Sequence, residues 1–206
     1  PHKFLPLAQN GQLMISIGYW VIEEVMRQMS EWRQEGFELI PIHINLTGNQ
    51  IQDEHLVSIF EVLSQKFKIR LNMIRLDIKE VDLYDRRLIS QKAMVRLAKL
   101  GLKIWIDDMG TGYSSFNSLA NIPFEGVKVD GFLTSDLLIE ERARATIESL
   151  IQFAQIRGWK LIAESVETQE QANWYMNQTD ALFQGILFSK VIFPNEFADT
   201  YLNKVR

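Results

Sequence analysis

Apolar positions along this chain follow two rhythms that take turns. Short apolar runs alternate with longer stretches in which apolar residues recur every third or fourth position. The first long stretch, "IGYWVIEEVMRQMSEWRQEG", predicts a helix with Val21, Val25, Met29 and Trp32 on one face and Gly36 as its stop. The strand "LIPIHINLT" follows. A helix carrying Leu56, Phe60, Leu63 and Phe67 leads through "KIRLN" to the strand "MIRLDIKE". Next come the helix "DRRLISQKAMVRLAKLG", closed by Gly101, and the strand "LKIWIDD". A shorter helix around "SSFNSLANI" precedes the strand "GVKVDGF". The helix "EERARATIESLIQFAQIRG" puts Ala143, Ile147, Leu150, Ile151 and Ala154 on one stripe and ends at Gly158. Two further units pair "KLIAESVE" with "QEQANWYMNQ" and "ALFQGILFS" with "NEFADTYLN".

Six strands alternating with helices, without linker or low-complexity segment, predict a parallel α/β architecture in one domain, residues 1–206. A doubly wound open sheet is one alternative, but the usual glycine-rich dinucleotide turn after a first strand is absent. A (β/α) barrel is the better match, because polar residues stand at the C-terminal ends of most strands, and in a barrel those ends share one rim.

Composition narrows the function. The chain has 206 residues, 47% hydrophobic and 23% charged, enough for a sizeable core. A net charge of -4 argues against holding long nucleic acid on a broad basic surface. The absence of cysteine excludes disulfides, thiolate zinc sites and cysteine nucleophiles, and is consistent with a cytoplasmic domain. No apolar run approaches the roughly 20 residues of a membrane helix. The chain begins "PHKFLPLAQN", without Met, which fits a piece of a longer protein.

The strand ends carry the candidate chemistry. They hold Asn45, Asp77 with Glu80 beyond it, the adjacent Asp107 and Asp108, Lys128 and Asp130, Glu164 with Glu167, and Gln184. Carboxylates and amide oxygens are hard ligands, so their convergence predicts one or two divalent ions. At a strand end, where the backbone bends, consecutive side chains need not point to opposite faces, so Asp107 and Asp108 can share a metal pair. Two ions about 4 Å apart can activate a water and stabilise in-line displacement at phosphorus. Lys128 is placed to orient that water or to steady developing negative charge.

Each acid taken singly also has a plainer reading as a helix cap or a solvated strand end. His43, alternating with Ile42 and Ile44, reads as a hydrogen-bonded core histidine. The "EERARA" charges read as an exposed helix face. The Gly-Thr-Gly after the paired acids reads as a tight turn.

The motifs resemble the EAL domain phosphodiesterases, which hydrolyse the bacterial second messenger cyclic di-GMP. "IDDMGTGYSS" is similar to that family's Asp-Asp-Phe-Gly-Thr-Gly-Tyr-Ser-Ser loop, "VKVDGFL" to its Leu-Lys-Ile-Asp strand and "LIAESVETQEQ" to its Ala-Glu-Gly-Val-Glu-Thr segment. "QGILFSK" is similar to its Gln-Gly-Tyr-Leu-Phe segment and "INLT" to its Val-Asn-Leu-Ser strand. The resemblance implies a TIM-like barrel and metal ligands at Asn45, Asp77, Asp107, Asp108 and Glu164. It implies that Lys128 assists the attacking water and that Lys128 and Glu164 act in catalysis. It gives Glu80 the role of holding the loop after the paired acids and Gln184 a place in the metal and water network, with Asp130 and Glu167 nearby. Cyclic di-GMP would be opened to linear 5′-pGpG with two Mg²⁺ or Mn²⁺ ions, and Ca²⁺ would inhibit. The resemblance also implies a homodimer through the helix after the paired-acid loop, an upstream sensory or GGDEF domain, and a full-length protein that is sometimes anchored to the inner membrane.

The departures are specific. The Glu-Ala-Leu motif that names the family, on the first strand, lies upstream of where this chain starts, so the barrel is expected to lack that strand and its metal-binding glutamate. Asp77 stands where the family usually has Glu, one methylene shorter. Lys79 replaces Thr in the same pattern and adds a positive charge beside the site if it points inward; strand alternation leaves its direction open. Met109 replaces Phe and Ser165 replaces Gly, both tolerable on size. An active phosphodiesterase is the first reading. A degenerate EAL domain acting as a cyclic di-GMP receptor or protein-interaction module is the second, and an enolase-like barrel using Lys128 as a base is the third.

Overall fold

A computed structural model of the chain describes residues 12–83, 91–110 and 122–204. The helix expected around "SSFNSLANI" lies, but for Ile122, outside the described residues, as does the first part of "DRRLISQKAMVRLAKLG". The described elements run α1 (Gln12–Gln34), β1 (Ile42–Leu46), α2 (Gly48–Gln52), α3 (Leu56–Phe67), β2 (Ile74–Lys79), α4 (Gln91–Lys99) and β3 (Lys103–Met109). They continue with β4 (Phe124–Val129), α5 (Gly131–Asp136), α6 (Glu141–Arg157), β5 (Lys160–Ala163), α7 (Gln169–Gln178), β6 (Leu182–Phe183) and α8 (Pro194–Tyr201).

The strands are hydrogen-bonded in the order β1-β2-β3-β4-β5-β6. β4 is parallel to both β3 and β5, and β6 is parallel to β5. A doubly wound sheet reverses its strand order at a switch point, whereas here order in space follows order in sequence. The six expected strands and the TIM-like (β/α) connectivity are therefore borne out.

The chain forms two units. The first comprises Pro1–Asp77, Asp85–Lys103 and Phe193–Arg206. Within it α1 packs on β1 and α3. The buried stripe of α1 is Ile22, Met26 and Met29, one position on from the Val21 and Val25 named by periodicity; those two valines are half-buried flanks. Both stripes are apolar, and the spacing alone does not choose between them. Each such fully buried side chain contributes about 1.5–3 kcal/mol. The Trp32 ring lies 5.5 Å from that of Phe197, tying α1 to α8. Arg33, at the end of α1, donates to the Phe67 carbonyl at 3.1 Å and also to that of Lys68, satisfying carbonyls left open where α3 ends.

The second unit comprises Ile78–Tyr84 and Ile104–Ile192. β4 is buried along almost its whole length, as a parallel strand covered on both faces requires. Gly126 leaves the space that Trp105 fills: a Cβ there would lie 2.4 Å from the indole ring and 2.6 Å from the Lys160 carbonyl. The predicted stripe of α6 is buried throughout, and Gly158 closes the helix at φ 66°. Gln171 builds a capping box with Thr168 and reaches across to the Thr134 carbonyl at 3.0 Å. The Thr134 hydroxyl in turn meets the phenol of the fully buried Tyr175 at 3.0 Å. Burial pushes that phenol up to about 12.

A candidate metal-binding carboxylate cluster

The end of β3 answers how two adjacent acids can serve one site. Ile106 is paired with Val127 and Met109 with Val129, so Asp107 and Asp108 together stand opposite the single residue Lys128. That extra residue is a β-bulge, and Asp108 absorbs it with a left-handed backbone at φ 53°. An L-residue there is strained, and Asp is among the few types that tolerate it. The strained residue breaks the strict alternation of a strand, so both carboxylates reach the same cluster.

Lys128 lies on the partner strand in the centre of this arrangement. Its ammonium is 3.2 Å from Asp107 Oδ1 and forms a short ion pair with Glu164 Oε1, and its side chain is 6% exposed. Glu164 follows β5 directly and is positioned by its own amide, which donates to the Val129 carbonyl at 3.4 Å. Burial holds the Glu164 carboxyl above the ordinary range, Lys128 opposes that shift, and the charges of Asp107 and Asp108 add to it. One oxygen each from Asp107, Asp108 and Glu164 lie within 4.8 Å of one another. Three hard oxygens this close fit a hard divalent cation with oxygen preference, and their mutual repulsion is a reason to hold one.

Glu80 is fully buried just beyond β2 and accepts a hydrogen bond from the Gly110 amide at 2.9 Å. Gly110 has φ 106°, a conformation few other residues adopt, so this contact fixes where the chain leaves the paired acids. Lys79, the last residue of β2, reaches the solvent side of the cluster: its ammonium lies 2.5 Å from Asp108 Oδ2. That contact raises the Lys79 pKa. The glycine replaced at Ser165 proves to be a matter of backbone rather than volume, since Ser165 sits at φ 53°. Its hydroxyl also occupies the space where a Cβ on Gly131 would stand.

The remaining candidates have other surroundings. Asp130 is buried and caps α5, accepting from the Phe132 amide at 2.7 Å. The side chains of Glu167 and Gln184 are exposed. The Glu167 amide donates to Gln171, and the Gln184 backbone bridges Ala163 and Val166 beside Gly185, where a Cβ would collide with Val166. Asn45 and Asp77 belong to the first unit. Asn45, near the end of β1, is exposed, whereas Asp77 is 2% exposed and its Oδ1 lies 2.7 Å from His43 Nδ1. The sequence pattern suggested a hydrogen-bonded His43 but not its partner, because the pairing joins residues on two strands.

Residues 1–191 match the sequence profile of the EAL domain. The chain is 28% identical over 197 residues to the signaling protein YkoW of Bacillus subtilis, covering 96% of this chain and 24% of that protein. It is 26% identical over 190 residues to the cyclic di-GMP phosphodiesterase PdeR of Escherichia coli, covering 92% of this chain and 29% of that protein. The chain thus spans under a third of the length of these relatives. Among solved structures, the PaMucR phosphodiesterase in complex with c-di-GMP superposes with a TM-score of 0.90 at 27% identity, covering 96% of this chain and 80% of that one. The match over nearly the whole sequence agrees with the bulged acidic strand end and the sequential parallel strands, and by it the chain belongs to the EAL domain family.

Proposed function

We propose that this chain is a metal-dependent phosphodiesterase that opens cyclic di-GMP to linear 5′-pGpG in bacterial second-messenger signalling. The proposal rests on the bulge that turns Asp107 and Asp108 toward Lys128 and Glu164. Asp107, Asp108 and Glu164 would hold divalent Mg²⁺ or Mn²⁺, and two ions belong to the proposal. Ions held there would supply Lewis acidity and lower the pKa of a bound water toward neutrality.

The protein's own groups do the rest. Lys128 keeps its ammonium against Asp107 and Glu164, inside a buried setting where a fixed positive charge stabilises charge developing on phosphoryl oxygens. Glu80 holds the Gly110 backbone and so keeps Asp108 at the bulge. Hydrolysis consumes one water, whose oxygen ends on phosphorus as the 5′-phosphate while a proton ends on the released 3′-oxygen. A homodimer through residues 114–122 and an upstream sensory or GGDEF domain belong to the same proposal. Among the described residues, no helix is long and apolar enough to cross a membrane.

The test is chromatographic. Cyclic di-GMP incubated with the protein and Mn²⁺ or Mg²⁺ is expected to yield pGpG, and EDTA is expected to stop it. Retained cyclic di-GMP binding with no pGpG in either metal would overturn the enzyme in favour of a receptor.

A further inference from the structure

The carboxylate cluster carries a second ammonium besides Lys128. Lys79 Nζ lies 2.5 Å from Asp108 Oδ2, and the two side chains are 58% and 26% exposed, so this pair faces solvent while the Lys128 pairs do not. Asp108 Oδ2 is therefore an oxygen that an entering cation can reach, and a cation already sits on it. Asp107, Asp108 and Glu164 thus face two ammonium groups, Lys128 deep in the cluster and Lys79 at its solvent side, where Asp82 also acts on it. A lysine is suited to yield, being a compact charge on a flexible four-carbon stem with water at hand.

We propose that Lys79 is a tethered cation on the Asp108 side of the site, which an entering divalent ion must displace. The chain consequently loads its ions unequally, the first tightly and the second only as Lys79 swings out to solvent. Lys79 is in this sense a positioning residue that sets metal stoichiometry, and the inference rests on Asp107, Asp108 and Glu164 being the metal ligands.

The experiment is a Mn²⁺ titration of EDTA-treated protein without nucleotide, following free Mn²⁺ by electron paramagnetic resonance. It compares the unaltered protein with Lys79→Met, which keeps the stem, and Lys79→Arg, which keeps the charge. Lys79→Met is expected to tighten the weaker Mn²⁺ site about 2- to 5-fold, the range for removing one partly exposed charge contact, while Lys79→Arg stays close to the unaltered protein. Lys79 is mostly exposed, so both variants are expected to keep their melting temperature. Superimposable isotherms for the unaltered protein and Lys79→Met would overturn the role of Lys79 and leave the metal site standing. Equal tightening by Met and Arg would overturn it too, because charge would not be the cause. No Mn²⁺ binding by any of the three would overturn the metal site and this proposal with it.

Discussion

Replacing Lys128 with methionine isolates the one buried cation in the cluster. Methionine roughly preserves the stem and removes the ammonium that touches Asp107 and Glu164. Those two carboxylates, with Asp108, offer oxygens within 4.8 Å of one another, so at an effective dielectric constant near 20 each uncompensated pair repels by about 3.5 kcal/mol or more. That agrees with the roughly 3–5 kcal/mol expected when one partner of a buried ion pair is removed. In EDTA, then, Lys128→Met should unfold at distinctly lower denaturant than the unaltered protein. The sign of the pH dependence follows from Glu164, whose carboxyl burial already holds above its ordinary value. A carboxyl with a raised folded-state pKa contributes stability below its unfolded pKa and loses it as pH rises through the folded one, and losing Lys128 raises that folded value further. The deficit of the variant should accordingly shrink on acidification toward pH 5 and grow toward pH 8. Mn²⁺ should stabilise the variant more than the unaltered protein, since it replaces a missing positive charge. Turnover with saturating metal should fall about 10²- to 10³-fold, the usual consequence of deleting one fixed charge-stabilising group. Equal denaturation midpoints for the two proteins in EDTA at pH 8 would refute the electrostatic reasoning.

Three further outcomes follow from the packing around the site. Tyr175 is fully buried with its phenol pushed up to about 12, so it contributes stability below its ordinary pKa near 10 that is lost as pH rises toward 12; denaturant unfolding across that window should show the slope, and Tyr175→Phe should remove it. Gly126→Ala would drive a methyl to 2.4 Å from the Trp105 ring and 2.6 Å from the Lys160 carbonyl, and should destabilise by about 1–3 kcal/mol with loss of the native tryptophan fluorescence environment. Ser165→Gly relieves the left-handed backbone at φ 53° and should raise stability by about 0.5–1 kcal/mol in the same unfolding assay, despite removing a hydroxyl.

Strand order and the positions of the acids were legible because parallel burial writes itself as apolar runs with polar residues at their ends. The phase of α1 was not, because Val21 and Val25 lie beside Ile22 and Met26, and two adjacent apolar stripes give the same period. The paired acids advertised a site, yet the device that lets both serve it is a register slip against β4, and a slip belongs to two strands at once. The same holds for Lys79, whose partner Asp108 lies on the next strand, and for His43 with Asp77. Asp130 shows the converse: an acid at a strand end that caps the following helix. Ser165 looked harmless because size can be compared in sequence, whereas a positive φ cannot.

Under the proposed function, Asp107, Asp108, Lys128 and Glu164 form a centre for hydrolysis at phosphorus. The most direct test is turnover of cyclic di-GMP with Mn²⁺ in water enriched in heavy oxygen, with the product weighed by mass spectrometry. The expected product is pGpG carrying one heavy oxygen on its 5′-phosphate, formed by the unaltered protein and lost in Glu164→Gln. Unlabelled pGpG, or labelled pGpG formed equally well by Glu164→Gln, would contradict it.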